Sequence, residues 1–507
     1  MMGLICFALA SLAAEGPGAA ALEPTVAPTT APTLAPTLAP TLAPTVAPTL
    51  APTLAPTLAP ETVAASAARH HPTIAIARAE LAIADGERMV ADGAFDPVAK
   101  VRGLSDGPTY SSFFGDAALE IPLPLWGVGV HAGYRVGLGD YPLYDGKLKT
   151  NDWGEARIGA SLPVWRGGPI DRVRATIERT SLERDSAGAF AELTRIDIVR
   201  MGLFAYWEWV AAQARVAVAR DLLTLARTRA DQLRTRVTSG DIALVEQVDN
   251  DRVVAQRTAR LAAAERARER AAFELSLYLR DDQGRPVVAP PEQAPALAVP
   301  PSTTAPDLEL LVTEAQQRRP ELRRLQIQVA QLKVERDLAD NQVAPGVQLF
   351  AQVSQDFGPT SAPLSSSSSV WNPDPATRTL PKVEGGVVVD VPLLLRQARG
   401  RVEVVSAQQR RAEAQQRLMN DRIRIEVQDA LSAITAATRR VQAAHAEVEA
   451  ASSVEDAERD RFSAGDSTML QVNLRELATA EARLVEIDAQ ADAWRARVQL
   501  RAATASL

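Results

Sequence analysis

Two short segments of this 507-residue chain resemble each other and interrupt two long helical patterns at equivalent places. They cover residues 236–241 and 461–466, and each begins with arginine and ends with a glycine followed by aspartate, at Gly240 and Gly465. Glycine readily adopts the left-handed backbone conformation that ends a helix. Each segment therefore predicts a reversal between two antiparallel helices, one reversal in each half of the chain.

The similarity between the halves extends well beyond these two turns. Residues at the start of the first helical segment recur, without gaps and at one constant separation, in the second half. The matched pairs are Pro72 and Pro320, Glu87 and Glu335, Arg88 and Arg336, and Pro97 and Pro345. An internal repeat of this size predicts a fold built from two copies of one unit. We assign repeat 1 to residues 61–282, a Pro- and Ala-rich linker to 283–307, and repeat 2 to 308–507.

Each repeat contains one unusually long helical pattern, over residues 170–237 and 398–462. At 1.5 Å per residue each helix would be about 100 Å long, whereas helices of globular proteins average about a dozen residues. Apolar residues recur at three- and four-residue spacing, which is typical of a coiled-coil seam. Those residues are Ile196, Val199, Leu203, Trp207, Val210, Ala214 and Val218 in repeat 1, and Val427, Leu431, Ile434, Val441 and Val448 in repeat 2. Shorter helices follow the turns, over 243–279 and 469–502.

Between the first helix, which begins at Glu61, and the long helix, each repeat has a stretch with strand patterns, at residues 97–165 and 347–395. The predicted strands are 98–104, 117–125, 127–138 and 156–165, then 347–353 and 383–395. The hairpin at 117–138 has no counterpart in repeat 2, so the strand number of repeat 1 stays open. Nine aromatic residues gather in the first stretch, as in the aromatic girdles of membrane barrels. A soluble sheet with an aromatic core is the alternative.

The N-terminal region predicts export rather than a folded domain. Residues 1–23 resemble a signal segment, although the first basic residue is Arg69, so the true start codon could lie elsewhere. Lipid attachment at Cys6 is a weaker alternative. Residues 24–60 repeat Ala-Pro-Thr-Leu, which excludes helix and predicts an extended tether, either a plain spacer or a docking segment.

Composition and motifs exclude several functional classes. A net charge of −7 argues against nucleic acid as a partner. We find no nucleophile, phosphate-binding or zinc motif, so we expect neither an enzyme nor a cofactor. His70 and His71 are adjacent and cannot share a helix face as metal ligands do, and we expect them at a solvated helix start. No metal site is predicted.

The order of helix, strands, long helix, glycine turn and helix, given twice, resembles the TolC-like outer-membrane efflux protein family. The resemblance covers about residues 61–500. It implies a mainly α fold with β, in which long antiparallel helical hairpins form a tunnel and the strands join a trimeric outer-membrane β-barrel. It also implies a homotrimer in outer-membrane lipid, extending into the periplasm, with a periplasmic adaptor protein and an inner-membrane pump as partners.

The resemblance further implies which residues are functional. The glycine turns would be the tips that dock the adaptor: Arg236, Ser239, Gly240, Arg461, Ala464 and Gly465. Family members often carry acidic residues six and nine positions after the glycine, around the periplasmic aperture. Here repeat 1 has Glu246 and Asp249, whereas repeat 2 has Gln471 and Leu474, which is a departure from the family pattern. Ordinary helix-surface charge is the alternative for these two acids.

Two functions are therefore compatible with the sequence. The first is a passive exit duct of a tripartite efflux or type I secretion system, which the repeat and the strand region favour. The second is a soluble periplasmic coiled-coil adaptor or spacer, which the helical seams alone would allow.

Overall fold

The computed structural model describes residues 57–106, 112–139, 150–301, 307–359 and 380–507. The predicted signal segment (1–23) with Cys6, and all but the end of the predicted tether (24–60), lie outside the described residues. So do residues 360–379, the greater part of the loop between the two strands of repeat 2.

The two repeats share one order of elements. Repeat 1 consists of α1 (Pro60–His70), α2 (Pro72–Asp92), β1 (Val98–Asp106), β2 (Ser112–Pro122), β3 (Gly129–Gly139), β4 (Gly154–Pro163), α3 (Arg172–Thr238) and α4 (Leu244–Ser276). Repeat 2 consists of α5 (Leu308–Arg318), α6 (Pro320–Asn341), β5 (Gly346–Phe357), β6 (Lys382–Asp390), α7 (Arg396–Ser463) and α8 (Met469–Ala503). The β2–β3 hairpin is the element that repeat 2 lacks among the described residues.

The expectation of one continuous first helix is wrong, because a proline divides it. His71 has an extended backbone (φ −71°, ψ 133°), and Pro72 opens α2 directly after it. Proline lacks the N–H that a continuing helix needs and pushes the preceding residue out of the helical region. The His71 ring instead caps α2, accepting a hydrogen bond from the Thr73 amide at Nδ1 (3.2 Å). Repeat 2 has the same break at Arg319, before Pro320.

The long helices are confirmed, with 67 residues in α3 and 68 in α7. Their predicted seams are buried or half-buried, because α3 packs along α4 and α8 while α7 packs along α8. A cluster of aromatic residues packs at the middle of α3, where Trp207 stacks on Trp494 of α8 at 4.2 Å between ring centroids. Tyr206 donates a hydrogen bond to the carbonyl of Leu58 (2.8 Å), which fixes the chain just before α1.

Within the described ranges, no helix has both the length and the apolar character needed to cross a lipid bilayer.

The strands form one antiparallel sheet in the order β1-β2-β3-β4-β5-β6. The β4–β5 pairing joins the two repeats, from Gly154 opposite Phe357 to Pro163 opposite Gln348. Strand ends differ from the predictions by several residues; β2, for example, begins at Ser112 rather than at residue 117, because it pairs with β1 as far as Asp106. Among the described strands, β1 and β6 each pair on one side only, so the sheet has two open edges.

Candidate functional site

One face of the sheet is apolar from edge to edge. Directly opposed residues in an antiparallel sheet share a face. One such row crosses all six strands: Ala99, Leu119, Ala132, Ile158, Val353 and Val383. The neighbouring row on the same face continues the pattern with Val101, Ala117, Tyr134 and Ala156, and then reaches the polar Gln355 of β5. These side chains are exposed rather than packed, since Val101 is 84% exposed and Ile158 57% exposed. No helix of the described chain covers this face.

The opposite face is polar and held by ion pairs between neighbouring strands. Arg157 binds both carboxylate oxygens of Asp116 (2.8 and 2.7 Å), and Lys100 binds Glu120 (2.6 Å). The other polar contacts on this face are Arg135 with Glu155, Arg166 with Asp390, Lys382 with Glu384, and His131 with Gln352.

The polar face is also the more enclosed one. Phe113 on the apolar face is 45% exposed, whereas its neighbour Phe114 on the polar face is 8% exposed.

The strands have the length of membrane-crossing strands. They contain 9 to 12 residues each, and a tilted strand needs about 9–11 residues to span the hydrocarbon core. Tryptophans mark both ends of the sheet: Trp126 and Trp165 lie at the helix-proximal end, and Trp153 lies at the far end. All three are exposed. Exposed tryptophan at two levels is typical of side chains that sit at the two interfaces of a bilayer.

Each open edge of the sheet continues into a helix with an exposed apolar stripe. On α2, Ile76, Ile83 and Val90 recur every seven residues and point roughly a third of a turn away from the side that packs on α3. On α7, the exposed Val404, Leu418 and Ile425 are spaced by fourteen and seven residues, and so lie on one side of the helix. One lateral side of the molecule is thus formed by β1 and α2 and the other by β6 and α7. Both sides present unpaired backbone and exposed apolar side chains.

The two glycine turns have the same backbone geometry. Gly240 has φ +79° and Gly465 has φ +85°. The amide of Asp241 donates to the carbonyl of Arg236 (2.9 Å), and the amide of Asp466 donates to the carbonyl of Arg461 (2.8 Å). This six-to-one hydrogen bond with a left-handed glycine is the Schellman motif, which satisfies the last carbonyls of a helix. The predicted reversals are therefore formed.

The predicted tip residues lie together at the exposed ends of the two hairpins. Arg236, Ser239, Arg461 and Ala464 are all exposed, as are both glycines. Exposed apolar side chains border them, and the sequence reasoning missed these because it sought charges. They are Leu244, Val245 and Val248 on α4, and Leu470 on α8; Leu474, already singled out in the sequence, is exposed as well.

The predicted aperture residues lie in the first two turns of α4 and in the first turn of α8. Glu246 is exposed, and Asp249 accepts a hydrogen bond from Arg252 (2.9 Å). Gln471 is exposed as well; its side-chain oxygen lies 3.0 Å from the Ser467 hydroxyl. The acidic pair is therefore present on one hairpin only, as the sequence indicates.

A buried charge cluster joins the two hairpins near their tips, and sequence reasoning missed it. Glu476 of α8 is fully buried and binds Arg257 of α4 (2.8 Å) and Arg229 of α3. Arg459 of α7 lies 3.6 Å away. Burial alone would raise the pKa of Glu476, but the hydrogen bonds and charges of Arg229 and Arg257 outweigh it and hold that pKa below its ordinary value. In sequence, Glu476 is one acid among many on a charged helix, so only the packing reveals its role.

Among the described residues, no three histidine, cysteine, aspartate or glutamate side chains are placed to hold a metal ion. His71 stacks on Tyr278 at 5.5 Å between ring centroids. Burial, followed by the nearby charge of Arg280, lowers the pKa of His71.

Comparisons with known proteins agree with this geometry. The sequence profile of the outer membrane efflux protein family matches residues 311–506, the greater part of repeat 2. No curated protein matches the chain in sequence. The outer-membrane channel OprN has a similar structure, with a TM-score of 0.60 and 15% identity over 88% of this chain and 90% of that one.

Two further solved structures are similar to the same extent. The open-state MtrE outer membrane channel of Neisseria gonorrhoeae gives a TM-score of 0.62 at 14% identity, covering 88% of each chain. The CmeC outer membrane channel of Campylobacter jejuni gives 0.61 at 10% identity, covering 88% of this chain and 85% of that one. The chain thus has the fold of the TolC-like outer-membrane efflux proteins and carries that family's sequence profile in its second repeat, which confirms the resemblance seen in the sequence.

Proposed function

We propose that this protein is the outer-membrane exit duct of a tripartite efflux or type I secretion system. It would act as a passive homotrimeric conduit through the outer membrane and the periplasm. The observation that carries the proposal is the two-faced sheet: one face is apolar and exposed, and the other is polar and ion-paired. In a soluble spacer this apolar face would be exposed to water, which is unfavourable, whereas in an outer membrane lipid would cover it.

The open edges support ring closure by identical copies. The side formed by β1 and α2 differs from the side formed by β6 and α7, so copies can associate head to tail, and such contacts close into rings. A closed ring would pair every strand edge, which lipid requires because it offers no hydrogen bonds. The resemblance to the family supplies the number of copies, three.

The membrane assignment is tested with two neighbouring residues that lie on opposite faces of β5. Val353→Arg places a charge on the apolar face in the middle of the strand, and should cost about 2–4 kcal/mol in lipid. Gln352→Arg places the same charge on the polar face and should cost about 1 kcal/mol, from the lost contact with His131. Insertion is read from the heat-modifiable gel mobility of membrane fractions. Equal loss for both variants, or recovery of the unmodified chain as a soluble monomer, would contradict the proposal.

The trimer assignment is tested at the helix edge. Ile83→Glu puts a charge on the exposed stripe of α2 without touching the side that packs on α3, and should abolish the SDS-resistant trimer band. Glu80→Gln, an exposed position one helical turn away, should leave that band unchanged. A normal trimer band in the Ile83 variant would show that the apolar stripe of α2 does not lie in the trimer interface.

We further propose that the two tips dock a periplasmic adaptor, which links the duct to an inner-membrane pump. Exposed arginine beside exposed Leu244, Val245 and Leu470 supports this, because interfaces are enriched in arginine and need an apolar centre. A photocrosslinking amino acid placed at Ser239 or Ala464 should give adducts of adaptor size in cells. The exposed control position Glu269, far along α4, should give none, and adducts at that position alone would refute tip docking.

Glu246 and Asp249 would supply the charge at the periplasmic aperture. Replacing both by Gln and Asn should lower the cation-to-anion permeability ratio in planar bilayers, because a negative ring at a constriction attracts cations. Gln471→Ala should leave the ratio unchanged. An unchanged ratio in the double variant would assign these acids to ordinary helix surface.

A further inference from the structure

Where the helices meet the sheet, a layer of four helices is joined to a layer of six strands. Helices α2, α3, α6 and α7 pack side by side in that order. Each is followed or preceded directly by one strand, α2 by β1, α3 by β4, α6 by β5 and α7 by β6. The β2–β3 hairpin adds two strands with no helix of their own. The sheet thus contains more strands than the helical layer beneath supplies.

The two extra strands make the widths of the two layers equal. Packed helices lie about 8–10 Å apart, so four of them occupy about 32–40 Å. Strands lie about 4.8 Å apart, and with a tilt of about 40° six of them occupy about 37 Å of circumference. Four strands would occupy only about 25 Å by the same geometry. The hairpin therefore lets the sheet continue the helical wall without narrowing.

Glycines on the polar face let long side chains lie flat against the wall. A Cβ at Gly159 would stand 2.6 Å from the His131 ring, and a Cβ at Gly386 would stand 2.6 Å from the Phe350 ring. Both distances are far shorter than any normal contact, so these rings lie across the space that a side chain would fill. At Gly133 a Cβ would stand 3.2 Å from Nε of Arg157, which is itself folded toward Asp116. The polar face is therefore lined by side chains that lie along it.

Most of the charges on this face are also paired with a charge of opposite sign. Arg157 with Asp116 and Lys100 with Glu120 bind across neighbouring strands, and Arg135 binds Glu155. Paired charges of both signs give a hydrophilic surface with little net field, because opposite charges in contact cancel at a distance. Such a wall does not select cargo by the sign of its charge.

We propose that three copies of this chain close an eighteen-stranded barrel whose bore is as wide as the helical tunnel, and which admits bulky hydrophilic cargo of either charge. This inference rests on the proposed trimeric duct. Eighteen strands at the tilt above give a backbone diameter of about 36 Å. Side chains about 5 Å deep on each side leave a bore of about 25 Å. Twelve strands would leave about 14 Å by the same arithmetic.

Electron microscopy of the full chain in lipid nanodiscs tests the strand number directly. We expect a trimer whose barrel contains eighteen strands in cross-section, with β1 of one copy paired to β6 of the next. A trimer with twelve strands in the wall, the β2–β3 hairpin standing outside it, would overturn this inference and leave the proposed duct intact. A particle with no barrel, or a monomer, would overturn the proposed function as well.

Polymer exclusion tests the width of the bore. Polyethylene glycols of graded size are added only to the barrel side of a planar bilayer, so that entry reports the barrel and not the tips. We expect the full chain to admit polymers up to about 25 Å in diameter. A variant in which a two-residue Asn-Gly turn replaces residues 107–153 joins β1 directly to β4, and it should exclude polymers above about 14 Å.

Two controls separate a change in bore width from a failure of the trimer to assemble. Ile158→Val changes the apolar face only and should leave the cut-off unchanged, and SDS-resistant trimers confirm assembly of every variant. A full chain that excludes polymers above about 15 Å would overturn the wide bore. An equal cut-off for the full chain and the shortened variant would show that the hairpin does not set the width.

Discussion

The buried cluster around Glu476 gives the sharpest energetic test of the structure. Glu476→Gln removes the negative charge while keeping the side chain's size, and leaves Arg229 and Arg257 buried beside a neutral amide. Removing one partner of a buried ion pair costs about 3–5 kcal/mol, because the remaining charge is no longer compensated. The Gln carbonyl still accepts one hydrogen bond, so we expect the lower end, about 3 kcal/mol.

That loss should appear as local opening where the two hairpins meet. Each 1.4 kcal/mol is a tenfold change in an equilibrium, so amide hydrogen exchange in residues 244–262 and 469–485 should accelerate by about two orders of magnitude. Glu481→Gln, an exposed acid on the same helix, is the matched control and should change exchange by less than about threefold. Exchange in the Glu476 variant within threefold of the parent would refute the reasoning.

The same cluster predicts a pH dependence of known sign. The pKa of Glu476 is held below its ordinary value, so the unfolded chain binds its proton more readily than the folded one. Its stabilisation is therefore complete above the ordinary pKa of Glu and is lost as the pH falls through the lowered value. The difference in exchange between parent and variant should be constant near neutral pH and disappear in acid. A difference that grows in acid would contradict the assignment.

Three further predictions follow from single positions. Gly465→Val should destabilise the tip by about 1–2 kcal/mol through its positive φ alone, since nothing lies within 4 Å of a Cβ there; Gly188→Ala, in the middle of a helix, should be neutral or stabilising by thermal unfolding. His445→Gln should remove a stabilisation that is present at low pH and lost as the pH rises through the pKa of His445, which a hydrogen bond to Glu486 raises, and exchange in α7 measured from pH 5 to 9 would show it. Trp209→Ala should cost about 3–5 kcal/mol, because the side chain is fully buried, and a loss below about 1 kcal/mol in denaturant unfolding would contradict its place in the core.

Much of the fold follows from local signals in the sequence. The glycine turns, the long helices and their seams are set by residue type and by three- and four-residue spacing, so Gly240, Gly465 and Val199 could be placed without the structure. The strands were harder, because a strand on a two-faced sheet is short and its ends depend on its partner. The start of β2 at Ser112 is fixed by pairing with Asp106 of β1, which no local pattern reports.

The candidate sites depend more on packing than on pattern. Glu476 and the exposed Glu481 are two acids on the same helix, and the approach of α3 and α4 buries one and not the other. The break before Pro72 has a signal in the sequence, since proline rarely continues a helix, but the prediction of a single first helix from Glu61 did not use it. The exposed apolar stripe through Ile83 was not predicted from the sequence, because its exposure is known only once α3 packs against the other side of α2.

The two unlike lateral sides have a genetic consequence. In a ring closed head to tail, every subunit lends one side to each neighbour, so a chain with a damaged β1 and α2 side leaves one seam open whatever its companions are. If such a variant is made in equal amount with the intact chain, only about one ring in eight contains three intact copies. Alleles that damage a single side should therefore behave as dominant, and a strain that carries the intact and the damaged gene should keep only about one eighth of its intact rings.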